Sequence, residues 1–246
     1  MAIPSISLAP SSGEEANLPI AVTVTGTNIF ERPNYTGREL FTQSGTDAPV
    51  GDWKGGAVQV DGIIGKAFRG NGTTAYVNIS SKVIPIAKYV MISGWFNNSS
   101  SNPSQTIIAD SPLLLNGALQ IRLNATGQVQ FRAYGEETAG TRKEVTSVSS
   151  YNDGSDHHFW FVCDINTPST PIVGIVDKTD VGTVTINDSM SSFESDTITF
   201  EIGTNLYSGI RYSFFDGDVC GVYWSTNSAT STEMLKYSNL PTVEIN

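Results

Sequence analysis

Short strand-like segments recur along most of the chain, and this recurrence is the feature that most constrains the fold. About ten runs rich in β-branched and aromatic residues are bounded by Gly, Pro, Asn, Asp or Ser, which is typical of strands. They cover residues 75–79, 89–96, 105–109, 119–123, 128–133, 158–165, 172–176, 183–186, 197–202 and 218–224. A helix start is found only at residues 231–237, which are too few for more than a turn or two. The pattern predicts an all-β sandwich or jelly roll.

Two neighbouring segments show strict alternation of apolar and polar residues. Residues 119–123 read LQIRL and residues 129–132 read VQFR. Because successive side chains of a strand point to opposite faces, each segment is predicted to pack its apolar face on a second sheet and its polar face outward. Residues 124–127 (NATG) predict a hairpin loop in which Gly127 supplies an unusual backbone angle.

The first 38 residues differ from the rest of the chain. Pro4, Pro10, Pro19 and Pro33 interrupt short apolar pieces, and proline is confined to edge strands because it cannot donate to a ladder. We therefore interpret residues 1–38 as an arm that lies on the sandwich or on a neighbouring subunit, and residues 39–246 as the sandwich. The arm is predicted to contact other copies of the chain or, where the chain is part of a virus particle, neighbouring virion proteins.

The order of motifs between residues 40 and 237 resembles the laminin-G-like members of the concanavalin-A-like lectin and glucanase superfamily. The matching stretches are IGKAFRGNG (64–72), AYVNI (75–79), YVMISGWF (89–96), QTII (105–108), DGSDHHF (153–159), IG (202–203), FDGDV (215–219) and SATSTEM (228–234). The family often has an Asp-Glu pair where this chain has Cys220 and Gly221, and a Trp where it has Asp156. The resemblance implies a concanavalin-A-like jelly-roll β-sandwich, and it says little about function.

Charge and hydropathy exclude two classes of partner. The 246 residues include 14 Lys and Arg against 24 Asp and Glu, a formal net charge of −10. A nucleic-acid-binding surface needs a basic patch, and the longest basic run is Arg142-Lys143. The sequence has no apolar run of about 18 residues that would span a membrane, and residues 1–6 lack the features of a secretory signal. We expect a location on a virion surface or outside cells.

The two cysteines, Cys163 and Cys220, each lie in an apolar segment. Free cysteine is among the most buried residue types, so two buried thiols are the favoured interpretation. A single disulfide between strands is the alternative.

Residues for catalysis are scarce. His157 and His158, the only histidines, are adjacent on a predicted strand and point to opposite faces, which favours structural roles. The sequence has no Gly-x-Ser-x-Gly elbow for a serine nucleophile. Glycosidases of this fold carry carboxylates at alternate positions of one strand, and the nearest match, Glu194 and Asp196, lacks a third. We expect no enzymatic activity.

Calcium is the one cofactor that the sequence leaves open, because hard cations bind carboxylate and carbonyl oxygens on loops. Aspartates in turn-like segments are Asp153, Asp156, Asp177, Asp180, Asp216 and Asp218. The most compact pair, Asp216 and Asp218, is the candidate metal site. Asp and Gly are also the ordinary residues of turns, so a turn without an ion is the competing interpretation.

Sugar binding usually pairs an exposed aromatic ring with planar amides or charged groups. Trp95, Trp160 and Trp224 lie within apolar segments and are assigned to the core. Better candidates are loop aromatics and their polar neighbours, and the predicted ligand-binding residues are Arg132, Tyr134, Asn205, Tyr207, Arg211 and Tyr212. An ordinary surface tyrosine is the competing interpretation.

These observations lead to one main hypothesis and two alternatives. The main hypothesis is a non-enzymatic structural or adhesion subunit of a surface, such as a phage virion decoration, fibre or tail accessory protein with a lectin-like sandwich. The first alternative is a stand-alone carbohydrate-binding lectin module, with cell-surface glycans as ligands. The second is a polysaccharide hydrolase or lyase, against which the incomplete carboxylate set argues.

Overall fold

The described part of the computed structural model comprises residues 27–28, 52–63, 66–79, 89–111, 118–134, 142–164, 172–177, 179–184 and 199–225. Its regular structure consists of antiparallel strands. In these ranges there is no helix with the length and apolar character needed to cross a membrane. The helical turn predicted at residues 231–237 lies outside the described residues.

Seventeen strands are described, several of them only two to four residues long. In chain order they are β1 (Thr27–Asn28), β2 (Asp52–Lys54), β3 (Val58–Asp61), β4 (Lys66–Arg69), β5 (Tyr76–Ile79), β6 (Tyr89–Asn98), β7 (Gln105–Ser111), β8 (Leu119–Leu123), β9 (Gln128–Tyr134), β10 (Arg142–Ser150), β11 (Asp156–Asp164), β12 (Ile172–Val176), β13 (Thr179–Val184), β14 (Thr199–Ile202), β15 (Asn205–Tyr207), β16 (Ile210–Tyr212) and β17 (Gly217–Ser225).

Two large sheets form the sandwich. The first sheet has the order β13-β12-β11-β6-β17-β4-β3, and β1 pairs with β17 beside this path. The second sheet has the order β10-β9-β8-β7-β14-β5-β2. Strands β15 and β16 pair only with each other, and we refer to them as the hairpin. Thr27 and Asn28, which belong to the predicted arm, therefore pair with the sandwich.

The core between the two sheets is filled largely by aromatic rings. The largest fully buried side chains include Phe68, Phe96, Phe131, Phe159, Phe161, Phe200 and Phe215. Phe131 of the second sheet lies 5.5 Å from Phe161 of the first, measured between ring centroids. Ile121, Val129 and Phe131 all face this core, which confirms the inward face predicted from the alternation of β8 and β9.

The outer face of the first sheet is also apolar. His158 pairs with Trp95, and Trp95 with Cys220, so these three residues share one face of the sheet. Trp95, Cys220 and Ala67 form an apolar cluster separate from the main core. Trp95 and Trp160 were assigned to the core from the sequence; both are buried, but on this outer face, next to His158. The side chain of Trp224 is outside the described part.

Gly174 is expected to be intolerant of a side chain. Gly174 lies on β12 and pairs with Phe161 of β11. A Cβ atom added to Gly174 would lie 2.2 Å from Cδ2 of Phe131. Overpacking of this kind costs about 1–3 kcal/mol, so Gly174→Ala should lower the free energy of unfolding by that amount in urea titrations. Val173→Ala, one residue away and half-buried, is the control with a smaller expected loss. Equal midpoints for Gly174→Ala and the unmodified protein would contradict this packing.

Neither cysteine forms a disulfide, and both are buried, which confirms the favoured interpretation. Cys163 belongs to the main core, and burial raises the pKa of its thiol well above the ordinary value. We expect dithiothreitol to leave the urea midpoint unchanged and Cys163 to resist thiol reagents until the protein unfolds. Peptide mapping after labelling measures this. A midpoint that falls on reduction, with a mass rising by two hydrogens, would show a disulfide instead.

Candidate functional site

The outward face of the second sheet carries a continuous set of polar side chains. In antiparallel strands directly paired residues share a face. Glu144 pairs with Arg132, which pairs with Gln120, and Gln130 pairs with Arg122 in the neighbouring row. Thr146 and Thr106 extend that row to β10 and β7. We call these seven residues of β7 to β10 the polar face.

Arg132 is the hub of the polar face. Its Nε donates to Oε2 of Glu144 at 2.6 Å, its Nη1 to Gln120 at 3.3 Å and its Nη2 to Gln130 at 3.0 Å. The Arg132 side chain is 8% exposed and that of Glu144 is 26% exposed, so the ion pair is largely shielded from water. A planar guanidinium with every nitrogen occupied holds its neighbours in one geometry.

A second set of bonds ties Gln130 into the same network. Its Oε1 accepts from Nε of Arg122 at 2.7 Å, and its Nε2 donates to Oε1 of Glu144 at 2.6 Å. Thr146 also donates to that oxygen, at 3.3 Å. The Glu144 carboxylate therefore receives bonds from three side chains of the polar face, and the network is rigid.

A relay of hydrogen bonds joins the polar face to the hairpin. Nε2 of Gln120 donates to Oγ1 of Thr106 at 3.1 Å, and that hydroxyl donates to Oδ1 of Asn205 at 3.0 Å. The amide of Thr106 also donates to the carbonyl of Ser213 at 2.7 Å. The hairpin thus docks against β7, with Asn205 as its buried contact.

The hairpin carries the exposed aromatic rings. Tyr212 pairs with Asn205 and Ile210 with Tyr207, so these four residues share the face that reaches Thr106 through Asn205. Tyr207, Ile210 and Tyr212 are 43%, 56% and 44% exposed. The turn between the strands is Ser208-Gly209, both with positive φ, as a two-residue turn of type I′ requires.

Arg211 lies on the opposite face of the hairpin. Its Nη2 and Nε donate to Oε1 of Glu201 at 2.7 and 3.0 Å, and its guanidinium carbon sits 4.4 Å from the ring centre of Tyr76. Glu201 is fully buried. Arg211 therefore fixes the hairpin to β14 and β5 through an ion pair and a cation–π contact.

Two serines with left-handed backbone meet between the hairpin and β7. Ser104 and Ser213 have φ of 60° and 55°, and their hydroxyls lie 3.3 Å apart. Nη1 of Arg122 donates to Oγ of Ser104 at 3.0 Å. Non-glycine residues in this region of backbone space are costly, and they concentrate at functional sites.

The structure unites most of the predicted ligand-binding residues in one region. Arg132 and Asn205 are linked through the Gln120–Thr106 relay. Tyr207, Arg211 and Tyr212 were predicted in a loop, but they lie on the two strands of the hairpin. Tyr134 differs from its prediction, because it lies at the end of β9 and not in a loop, and it is 3% exposed with its hydroxyl 3.4 Å from Gln120. Sequence reasoning missed Thr106, Gln120, Arg122, Gln130 and Glu144, although the alternation had placed three of these outward.

The predicted metal ligands have other partners. Both oxygens of Asp218 accept from Arg69, at 2.7 and 2.6 Å, and Oδ2 of Asp216 lies 3.5 Å from Nδ2 of Asn102. In the described part of the chain no group of three or more His, Cys, Asp or Glu side chains is arranged to hold a metal ion. Calcium binding stays a prediction from the sequence.

Both histidines have structural contacts: His157 bonds two aspartates, and His158 packs against two tryptophans. Nδ1 of His157 lies 2.6 Å from Asp177 and Nε2 lies 2.9 Å from Asp153. Burial lowers the pKa of His157, but the bonds to these two carboxylates outweigh it, and the net pKa is raised. His158 packs between Trp95 and Trp160, and its complete burial lowers its pKa to about 3. The opposite faces predicted for the pair are confirmed.

The opposite sheet carries a small cavity of about 290 Å³. It is lined by Asp61, Gly62, Ile63, Phe96, Asn97, Asp156, Asp218 and Cys220. Among the described residues, the large hydrophobic side chains that are exposed include two aromatic rings, Tyr207 and Tyr212. Both belong to the hairpin, and neither lines this cavity. Glu194 and Asp196, the nearest match to a glycosidase pair, lie outside the described ranges.

Comparison with solved structures shows the fold. The chain resembles domain 4 of AbnA, a GH43 extracellular arabinanase from Geobacillus stearothermophilus in complex with arabinotriose (TM-score 0.57, 16% identity, 75% of this chain and 82% of that chain). It also resembles the CBM40 of the Ruminococcus gnavus IT-sialidase bound to alpha2,3 sialyllactose (TM-score 0.56, 8% identity, 75% of this chain and 97% of that chain). A third similar structure is the SAP-like pentraxin of Limulus polyphemus (TM-score 0.50, 10% identity, 65% of this chain and 73% of that chain).

No protein-family model matches the chain, and no curated protein matches it. The structural likeness and the sheet order establish a lectin-like jelly-roll β-sandwich. The predicted fold class is therefore confirmed.

Proposed function

We propose that this chain is a non-enzymatic glycan-binding module whose site consists of the polar face and the hairpin. The observation that carries the proposal is the position of two exposed tyrosines beside a rigid network of amides, guanidinium groups and carboxylates. A sugar ring offers C–H bonds for packing on an aromatic ring and hydroxyls for planar polar groups. Binding sites of this kind combine apolar surface with a few fixed polar groups.

The spacing of carboxylates supports a binding role without catalysis. Glu144 lies on β10 and Glu201 on β14, and β9, β8 and β7 separate them. Four strand spacings of about 4.8 Å place their backbones roughly 19 Å apart. Glycosidase pairs lie within about 5–9.5 Å of each other. Each carboxylate is also committed to an arginine.

Two of the similar structures are named as complexes with glycans, arabinotriose and sialyllactose. This agrees with the proposal, and the argument for this chain rests on its own residues. A glycan-binding module acts where glycans are displayed, outside cells or on particles. The hypothesis of a virion subunit is a separate question, namely to which larger assembly the glycan-binding module belongs. The predicted assembly contact is residues 1–38, of which the structure describes Thr27 and Asn28.

The test is a glycan-array screen of the full chain, with calcium and again with chelator. We expect selective binding, and we expect Tyr207→Ala/Tyr212→Ala to weaken it about 100-fold, because two stacking rings contribute together about 2–3 kcal/mol. Val148→Ala, which trims an 80% exposed side chain on β10, is the matched control and should bind normally. Loss of glycan binding in the presence of chelator would indicate that calcium is part of the site. A blank array for the unmodified chain under both conditions would refute the proposal.

A further inference from the structure

Three exposed side chains of the hairpin lie side by side on one of its faces. Ile210 is directly opposite Tyr207 in the strand register, and Tyr212 is two residues further along the same strand as Ile210. Directly opposite residues have Cβ atoms about 4.5–5.5 Å apart, and diagonal neighbours such as Tyr207 and Tyr212 are about 7–8 Å apart. Ile210 therefore adjoins both tyrosines, and we call these three side chains the stripe.

The stripe is open where the hairpin turns. Residues 207–210 are all exposed. A Cβ atom added to Gly209 would have no atom of the described residues within 4 Å. A ligand that covers Tyr207 can therefore continue past the turn without meeting a wall in the part of the chain that is described.

The two tyrosines of the stripe differ in their polar surroundings. Tyr212 is directly opposite Asn205 and directly precedes Ser213, whose hydroxyl lies 3.3 Å from that of Ser104. Tyr207 adjoins the turn and is distant from these groups along the hairpin. A sugar unit on Tyr212 has hydrogen-bonding groups within reach, whereas a sugar unit on Tyr207 is held by apolar contact.

The position of the stripe is fixed by the protein itself. Oγ1 of Thr204 donates to the carbonyl of Tyr212 at 2.9 Å, and the amide of Thr106 donates to the carbonyl of Ser213 at 2.7 Å. On the opposite face of the hairpin, Arg211 is bound to Glu201. The spacing between the two rings is therefore set before a ligand binds, which lowers the entropic cost of binding.

We propose that the stripe binds an extended stretch of an oligosaccharide chain, with one sugar unit on Tyr212 and a second unit of the same chain on Tyr207. A pyranose ring is about as large as one phenol ring, so a ligand that covers both tyrosines needs at least two linked units. Ile210 contacts the chain between them. This inference rests on the proposed glycan-binding function and names the class of glycan.

The test is an array of length series, from single sugars to hexasaccharides, of glucan, xylan, mannan, galactan and arabinan fragments. Titration calorimetry then follows each series that binds. We expect affinity to rise about tenfold, or about 1.4 kcal/mol, when a fragment becomes long enough to reach the second tyrosine. Further lengthening should change it little.

Single variants assign the two positions of the chain. Tyr207→Ala should abolish the gain with length and leave the affinity for the shortest binding fragment unchanged. Tyr212→Ala should weaken short and long fragments alike, by about tenfold. Val58→Ala, which trims a 50% exposed side chain on β3 of the other sheet, is the matched control and should keep the whole length profile. Urea midpoints confirm that each variant is folded.

Failure of the inference is distinguishable from failure of the proposed function. Single sugars that bind as tightly as long fragments, or equal losses of the shortest fragment in Tyr207→Ala and Tyr212→Ala, would mean that both rings hold one sugar. Either result would overturn the inference and leave glycan binding intact, as would binding only to glycans outside the length series. Absence of binding to every arrayed glycan would overturn both.

Discussion

Replacing His158 by Phe is expected to make the protein markedly more resistant to acid. His158 is buried between two tryptophans, and its pKa in the folded state is about 3, against about 6.5 when unfolded. Between these values the unfolded chain binds a proton that the folded chain does not. Stability from the neutral imidazole is therefore complete above pH 6.5 and is lost as the pH falls.

The size of this effect follows from the two pKa values. At pH 4 the loss amounts to about 3 kcal/mol relative to pH 7, and His158→Phe removes it while keeping an aromatic ring in place. Urea titrations at pH 7 and pH 4 measure the difference. His157→Gln is the control: the pKa of His157 is raised, so its own contribution is lost as the pH rises above about 6.5, and the variant should keep most of the loss between pH 6.5 and pH 4 that His158 causes.

Other buried acids do not obscure the comparison. Burial raises the pKa of Asp110 well above its usual range, so its contribution falls as the pH rises, opposite to that of His158. Asp110 is present in both proteins and cancels in the difference between them. Parallel stability curves for the unmodified protein and His158→Phe would show that His158 is not buried as a neutral imidazole.

Removing Arg132 is expected to destabilise the sandwich by about 2–3 kcal/mol. Breaking a buried ion pair by deleting one partner costs about 3–5 kcal/mol, and the partial exposure of Glu144 reduces this. Arg132→Met keeps the volume and removes the ion pair between Arg132 and Glu144. The double variant Arg132→Met/Glu144→Gln should regain about 1–2 kcal/mol, because the carboxylate that has lost this arginine is then replaced by a neutral amide.

The Arg132 variants also separate structure from binding. The Gln120–Thr106–Asn205 relay loses its donor, so glycan affinity should remain reduced in the double variant even where stability recovers. Urea midpoints and titration calorimetry on the same samples measure both quantities. A loss below about 0.5 kcal/mol for Arg132→Met, the size of an ordinary surface substitution, would mean that the network contributes little.

The alternating segments were the most informative part of the sequence. Ile121 and Phe131 face the core while Gln120 and Arg132 face outward, as alternation requires. Gly127 closes the predicted hairpin loop with φ of 77°. These features are local, because the period of a strand and the backbone freedom of glycine act within a few residues.

Strands without a simple pattern were harder to interpret. β6 is buried on both faces, so its sequence does not show which face points to the second sheet. Trp95 was therefore assigned to the core, although it faces away from the second sheet. β10 was missed, since it is rich in Ser and Thr and contributes Val145 to the main core. The predicted segment 183–186 corresponds to β13, which instead runs from Thr179 to Val184.

The candidate site depended on contacts between distant parts of the chain. Thr106 and Asn205 are 99 residues apart, and Arg132 and Glu144 belong to neighbouring strands. A single sequence marks Tyr207 and Arg211 as polar-aromatic neighbours, but it does not show that their hairpin docks on β7. Strand order, which places these elements together, is determined by the whole fold.

The most direct test of the glycan-binding site is amide chemical-shift mapping by NMR, with the full chain titrated by the glycan that gives the strongest array signal. We predict that the largest changes occur at residues 104–106 and 205–213 and on the outward positions of β8 and β9. Changes confined to the cavity of the first sheet, at Asn97, Asp156 and Asp218, would contradict the site.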